Sequence, residues 1–223
     1  MGYESRYLKA VDRILNIQSK CPVVVLGIAP NNFIISRTKV NDFLELDKMN
    51  AASIWLGRHF GAMAHFTRPV TDSDKKNMMG KSKDRKSAFY RVYHNDGWME
   101  SRIIPEDPTE RLPYSTEVTK RDPAKPELIY NLLDQVAKWR RRGIRVYGLR
   151  YPTSTAMREM EDKYGQLDFQ RFYKQFADAG GIWISVPSDG YITYDGSHLR
   201  AESAVRFSRY VGKFIAMDIK AAR

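Results

Sequence analysis

Cysteine is nearly absent: Cys21 is the only one in 223 residues. A lone thiol excludes an intramolecular disulfide framework and any multi-cysteine zinc site, and it reads as a small residue ahead of a strand. Long apolar runs are missing too, with no stretch approaching the roughly 20 residues that a membrane helix needs. Met1 to Leu15 form an amphipathic pattern without the uninterrupted apolar segment of a signal peptide. The chain as written is expected to be soluble and cytoplasmic, and extracytoplasmic only if an upstream signal or anchor precedes it. No glycine-rich phosphate loop follows any predicted strand, which disfavours a nucleotide enzyme. Histidine is scarce at four residues; His59 and His65 are six apart, a spacing off one helix face, and no carboxylates crowd them, so no metal is implied.

Acidic residues are outnumbered by basic ones, 26 to 37, giving a net charge of +11. Such a balance favours anionic partners: an acidic envelope polymer, a lipid head group or nucleic acid, the last disfavoured because no recognised binding module is present. The densest cations are Lys75, Lys76, Lys81, Lys83, Arg85 and Lys86, interspersed with Asp, Ser, Gly and Asn. Lys81, Lys83, Arg85 and Lys86 read either as part of a solvated loop or as a binding patch. Arg140-Arg141-Arg142 ends a predicted helix, where cations meet the C-terminal dipole.

Hydrophobic residues make up 43% of the chain, enough for a real core. Tyr7, Leu8, Val11, Ile14 and Leu15 recur at helical spacing, and Val23 to Ile28 is a continuous apolar strand. Ile129, Leu132, Leu133 and Val136 mark a second helix, stopped by Gly143, before a strand from Ile144 to Leu149 that ends at Tyr151-Pro152. Phe169, Phe172, Tyr173 and Phe176 line a third helix, Gly180-Gly181 ends it, Ile182 to Val186 is a third strand, and Ala204, Phe207, Val211, Phe214 and Ile215 line the closing helix. Alternating helices and fully apolar strands predict a parallel sheet covered on both faces.

Residues 33–127 are too long for a simple crossover and read as an insertion within a single domain spanning 1–223. It begins with a helical stretch, Phe43 to Phe66, followed by a basic loop over 70–88 and a short strand over Phe89 to Tyr93. His94 to Trp98 reads as a hairpin turn or, through Trp98, as a loop that stacks on a sugar. Five prolines between Pro105 and Pro126 predict an extended surface segment.

The chemistry-bearing motif is Asp195-Gly196-Ser197-His198, just before the closing helix. A carboxylate three residues before a histidine can hold the ring in one tautomer and leave its far nitrogen as a general base. The competing reading is an Asp-Gly turn with His198 packed against the helix.

The order of these parts resembles the later portion of SGNH (GDSL-type) hydrolases: the strand with Gly27 and Asn31-Asn32 after it, the strand ending near Pro152, the strand at Ile182, then Asp195 to Leu199 and a terminal helix. It is similar to the envelope-associated branch with polysaccharide O-acetylation and D-alanyl transfer proteins, over Val23 to Asn32 and Gly143 to Ile215. The resemblance implies a flavodoxin-like three-layer α/β fold, here lacking its first strands. It also implies His198 as general base, Asp195 as its orienting partner and Asn31 or Asn32 at an oxyanion hole, with no metal or organic cofactor.

Two departures stand beside it. The run Gly27-Ile28-Ala29-Pro30-Asn31-Asn32 is two residues longer between Gly and Asn than the family block. The nucleophile block, a strand ending in Gly-Asp-Ser, has no counterpart among the 22 residues before Val23, and Ser5, Ser36, Ser101 and Ser154 all lack its context. A truncated chain is the favoured expectation; strands supplied by a second copy or partner chain, or a domain that has lost catalysis, are the others. The functional expectation is an ester hydrolase or O-acyltransferase acting on an ester-bearing substrate such as a polysaccharide. The alternative is a non-catalytic module that binds an anionic glycan or a partner protein.

Overall fold

The computed structural model describes Tyr3 and residues 5–18, 23–35, 88–93, 99–187 and 189–222. Along them run α1 (Ser5–Gln18), β1 (Val23–Gly27), a 3-10 turn (Pro30–Phe33), β2 (Ala88–Tyr93), β3 (Met99–Ile104), α2 (Leu112–Arg121) and α3 (Pro126–Arg141). After these come β4 (Arg145–Leu149), α4 (Thr155–Tyr164), α5 (Phe169–Asp178), β5 (Ile182–Ile184) and α6 (Ala201–Ala221). The chain divides into two compact units, Met1–Lys48 with Pro108–Arg223, and Met49–Asp107. The second unit lies within the 33–127 stretch read from the sequence as an insertion.

In the first unit β1, β4 and β5 form a parallel sheet in that order. Val23 lies opposite Arg145 and Gly27 opposite Leu149; Tyr147 to Leu149 then lie opposite Ile182 to Ile184. Side chains alternate across the strands, and each face has its own helices. Val24, Leu26, Val146 and Trp183 pack with Leu8 of α1, with Leu128, Leu132, Val136 and Trp139 of α3, and with Phe172 and Phe176 of α5. Tyr147, Leu149, Ile182 and Ile184 pack on the other face with Phe207, Val211, Phe214 and Ile215 of α6. The protein is therefore mixed α/β with a parallel sheet flanked by helices. Each fully buried Leu, Val or Phe contributes about 1.5–3 kcal/mol, so these two clusters set the positions of everything attached to them.

Polar ties fix the helices to the sheet. Trp139 donates from Nε1 to Asp12 Oδ1 at 2.9 Å, linking α3 to α1, and Arg142 pairs with the same carboxylate. On the opposite face Tyr147 donates to Asp218 Oδ2 at 2.7 Å, and Arg145 pairs with that oxygen. Directly after β4, Arg150 meets Glu161 at 2.9 Å and Asp162 at 2.7 Å while its guanidinium lies 4.1 Å from the ring centre of Phe169. These contacts hold α4 and α5 to the strand end.

The segment over 105–126 departs from its expected extended form, since α2 occupies Leu112–Arg121 within it. Pro113 sits in the first turn, where a helix amide has no partner in any case, and Pro126 begins α3 for the same reason. Ser115, Val118 and Thr119 supply the buried face of α2. Helix α4 was not anticipated. In the second unit β2 and β3 pair antiparallel, Ala88 opposite Ile104 and Tyr93 opposite Met99, so the strand expected at Phe89 to Tyr93 is present. The helical stretch Phe43 to Phe66, the loop 70–88 up to residue 87, and the turn residues 94–98 lie outside the described residues. Among the described residues no helix is long and apolar enough to cross a membrane.

Candidate functional site

Between β5 and α6 the chain closes a short loop on itself. Arg200 donates its amide to the Ile192 carbonyl at 2.9 Å, Thr193 bridges Leu199, and Tyr194 donates its amide to the His198 carbonyl at 3.0 Å. The loop base is tied to α6 by the Ile192 amide, which donates to the buried Ser203 hydroxyl at 2.9 Å. Gly196 makes the closure feasible. Its φ of +87° lies in the left-handed region, and a methyl carbon there would lie 2.4 Å from the Pro108 carbonyl oxygen.

Inside this loop Asp195 is completely buried. Its Oδ1 accepts from the amides of Ser197 at 2.9 Å and His198 at 2.7 Å. Oδ2 lies 2.7 Å from His198 Nδ1 and accepts from Arg111 Nε at 3.3 Å. Four donors thus fill the roughly four lone-pair sites of an ionised carboxylate, the condition under which a buried charge is tolerated. Burial pushes the Asp195 carboxyl up, but the hydrogen bonds from the His198 ring and from the amides of His198 and Ser197 outweigh it and hold the group below the usual carboxylate range.

With Asp195 ionised, His198 Nδ1 donates the proton of this contact, which in the neutral imidazole leaves the lone pair on Nε2. Tyr194, itself buried, stacks on the imidazole with ring centres 5.7 Å apart and an interplanar angle of 11°. The His198 side chain remains 49% exposed, and Nε2 has no partner among the described residues. The ring is therefore oriented on one edge, shielded on one face, and open at its basic nitrogen. Chemically this is a general base with its orienting carboxylate.

Two helix starts converge on the loop. Arg111, immediately before α2, donates its amide to the Asp195 carbonyl at 3.2 Å, and Ser154, immediately before α4, donates its amide to the Gly196 carbonyl at 2.9 Å. Neither helix has an acidic residue in its first turn, so their N-terminal dipoles favour the negative charge of Asp195 in the loop. Of the four serines singled out in the sequence, Ser154 is the one that the described contacts place against this loop. Its hydroxyl accepts from the Met157 amide at 3.3 Å and so caps α4. Ser101 lies in β3 of the second unit, and Ser36 lies outside the described residues.

Asn31 and Asn32 occupy the 3-10 turn after β1. The Asn32 side-chain oxygen accepts from the Ala29 amide at 2.8 Å, while Asn31 Oδ1 accepts from the Thr119 hydroxyl at 3.1 Å. Thr119 belongs to the last turns of α2 and Arg111 to its start, and those eight residues correspond to about 12 Å of helix. The structure thus anchors the asparagines and the Asp195 loop at opposite ends of α2 and does not bring them onto one reacting atom. Gly27, at the end of β1, is instead covered by Tyr151: a methyl carbon there would lie 1.8 Å from Tyr151 Cε2. Lys81, Lys83, Arg85 and Lys86, together with His59 and His65, lie outside the described residues. Among the described residues no group of three His, Cys, Asp or Glu side chains could hold a metal ion.

Arg111, Tyr194 and the capping position of Ser154 were not foreseen. Tyr194 stands beside the motif and was open to notice, whereas Arg111 is 84 residues from Asp195 and no local pattern points to it. No protein-family model, curated protein or solved structure matches the chain.

Proposed function

We propose that the first unit is an SGNH-like domain whose Asp195–His198 pair is the base of an ester hydrolase or O-acyltransferase site. The observation that carries this reading is the 2.7 Å contact between a buried, four-fold satisfied carboxylate and a half-exposed imidazole with an open Nε2. Two further features support it: the outward strand order β1, β4, β5, and the placement of the pair between the last of these strands and the terminal helix. Open parallel sheets assemble their sites outside the carboxyl ends of the strands, where this loop begins.

In the proposed reaction His198 Nε2 takes the proton from the hydroxyl that attacks the ester carbonyl. Asp195 then stabilises the imidazolium through Nδ1, and the proton passes to the departing alkoxide. The attacking hydroxyl belongs to a serine or to the acceptor, and it must reach Nε2 from the solvent side, since no described serine is bonded there.

Hydrolysis of p-nitrophenyl acetate, together with labelling by a fluorophosphonate probe, tests the proposal. The expected outcome is turnover and labelling that fall about 100-fold or more in His198→Ala, the usual contribution of a positioned general base. A folded His198→Ala variant that matches the parent in both assays sinks it. Mass spectrometry of the labelled protein identifies the nucleophile, and a label on Ser154 would mean that the cap of α4 doubles as the reacting group.

A further inference from the structure

We infer that the site beside the Asp195–His198 pair accepts a substrate bearing an anionic oxygen group, a carboxylate or a phosphate, and that Arg111 grips that group. The inference rests on reading the pair as the base of an acyl-transfer site. It concerns what the substrate carries beside its ester.

Arg111 and His198 share one oxygen. The guanidinium Nε lies 3.3 Å and the imidazole Nδ1 2.7 Å from Asp195 Oδ2, so the two cation-capable groups stand side by side on one carboxylate. Arginine has five N–H donors, and this contact uses the one on Nε. Among the described residues neither Nη group has an acceptor, although 42% of the side chain is exposed. An arginine that served only to neutralise Asp195 would be expected to present two donors to both carboxylate oxygens. Here Oδ1 is already filled by two backbone amides, and the guanidinium meets Oδ2 through Nε alone.

The result is a fork fixed at its root and open at its tips. The Arg111 backbone is pinned as well, its amide bonded to the Asp195 carbonyl at 3.2 Å, which lowers the entropy lost when the tips bind a ligand. Paired Nη donors match the planar oxygens of a carboxylate or the tetrahedral edge of a phosphate. The first turn of α2 holds no acidic residue, while Glu110 directly precedes Arg111 and Asp195 is already occupied by its four donors; the +11 chain attracts anions from a distance. A substrate gripped in this way has its ester a short spacer away from Nε2.

Two probes test the inference in the full chain: inorganic phosphate and succinate, titrated at constant ionic strength against chloride while the His198 ring resonances are followed by NMR. At least one is expected to shift those resonances saturably, with an affinity on the order of millimolar. Saturation by phosphate alone points to a phosphorylated substrate, and by succinate alone to a carboxylated one. Arg111→Gln is expected to weaken that binding about 10-fold, as loss of about 1.4 kcal/mol from a charge-assisted pair would. Absence of a saturable shift with both probes, or equal affinity in a folded Arg111→Gln, overturns the inference. Should Arg111→Gln not fold, Arg111→Lys carries the test, because it keeps the charge and loses the fork; weaker binding upholds the inference and unchanged binding overturns it. Hydrolysis that depends on His198 while anions ignore Arg111 sinks this inference alone. Anion binding through Arg111 with hydrolysis indifferent to His198 sinks the acyl-transfer reading and leaves an anion site.

Discussion

Replacing Asp195 by asparagine removes one charge and changes almost nothing in shape. The Oδ1 contacts with the Ser197 and His198 amides survive, so the damage is confined to Oδ2 and its two charge-assisted partners, His198 Nδ1 and Arg111 Nε. Each such bond is worth about 1.5–3 kcal/mol, and the new amide nitrogen would face both donors with hydrogens of its own. Against that, His198 and Arg111 are about half exposed and regain hydration when released. The net loss expected at pH 7 is about 2–4 kcal/mol, a large share of a typical domain stability. Urea titration followed by tryptophan fluorescence measures it. The pH dependence supplies the sign: the folded carboxyl is held below its unfolded value, so it adds stability above about pH 3.9, and that contribution is lost as pH falls through the lower folded value. The gap between parent and Asp195→Asn should therefore narrow on acidification below about pH 4. A variant within about 0.5 kcal/mol of the parent at pH 7, or a gap that stays constant to pH 3, would refute the account of Asp195 as a buried, satisfied anion.

Gly196→Ala places a methyl against the Pro108 carbonyl and forces a positive φ on alanine, for an expected loss of about 1–3 kcal/mol in thermal melts. It should also abolish the ring-current shift that Tyr194 imposes on His198, and a preserved shift would mean that the loop does not depend on the glycine. Glu161 is buried, and burial pushes its carboxyl up despite Arg150. A raised carboxyl contributes stability below its unfolded value, near pH 4.3, and loses it as pH rises. Urea midpoints at pH 4.5 and 7 should shift in favour of Glu161→Gln at the higher pH, and the opposite trend would show that Arg150 dominates. Trp139→Phe removes the bond to Asp12 and part of a fully buried ring, for an expected cost of about 1–3 kcal/mol together with weaker helical signal from α1 by hydrogen exchange.

The sheet and the helices packed on it were legible because one physical signal governs them. Continuous apolar runs at Val23, Ile144 and Ile182, and apolar residues at helical spacing in α1, α3, α5 and α6, follow directly from burial on two faces and on one. The segment around Leu112 misled for an equally physical reason. Proline density by itself argues against a helix, yet Pro113 and Pro126 stand in first turns where the missing amide costs nothing. Helix α4 buries Met157, Met160 and Glu161, and a carboxylate on the inner face conceals the stripe until Arg150 is known to meet it. Half of the candidate site was readable for the same reason that the turn was. Asp195-Gly196-Ser197-His198 is a local motif whose bonds span two or three residues, whereas Arg111 and Ser154 reach it through the packing of α2 and α4.

The geometry of the imidazole also limits where the missing hydroxyl can stand. The Nε2 lone pair of the neutral ring lies in the ring plane and points away from Nδ1, hence away from the buried Asp195. Tyr194 stacks at 11° to that plane, so it screens one face and leaves the in-plane approach open. Ser154 is held near the loop through its backbone and its Oγ accepts from the Met157 amide, so attack through that oxygen would compete with the cap, worth about 1 kcal/mol to α4, although its O–H proton is not used by that bond. A serine from elsewhere or an acceptor hydroxyl has no such cost. It needs only to enter the plane of the ring, and a substrate anchored on Arg111 would stand beside that path, because both groups are seated on the same oxygen of Asp195.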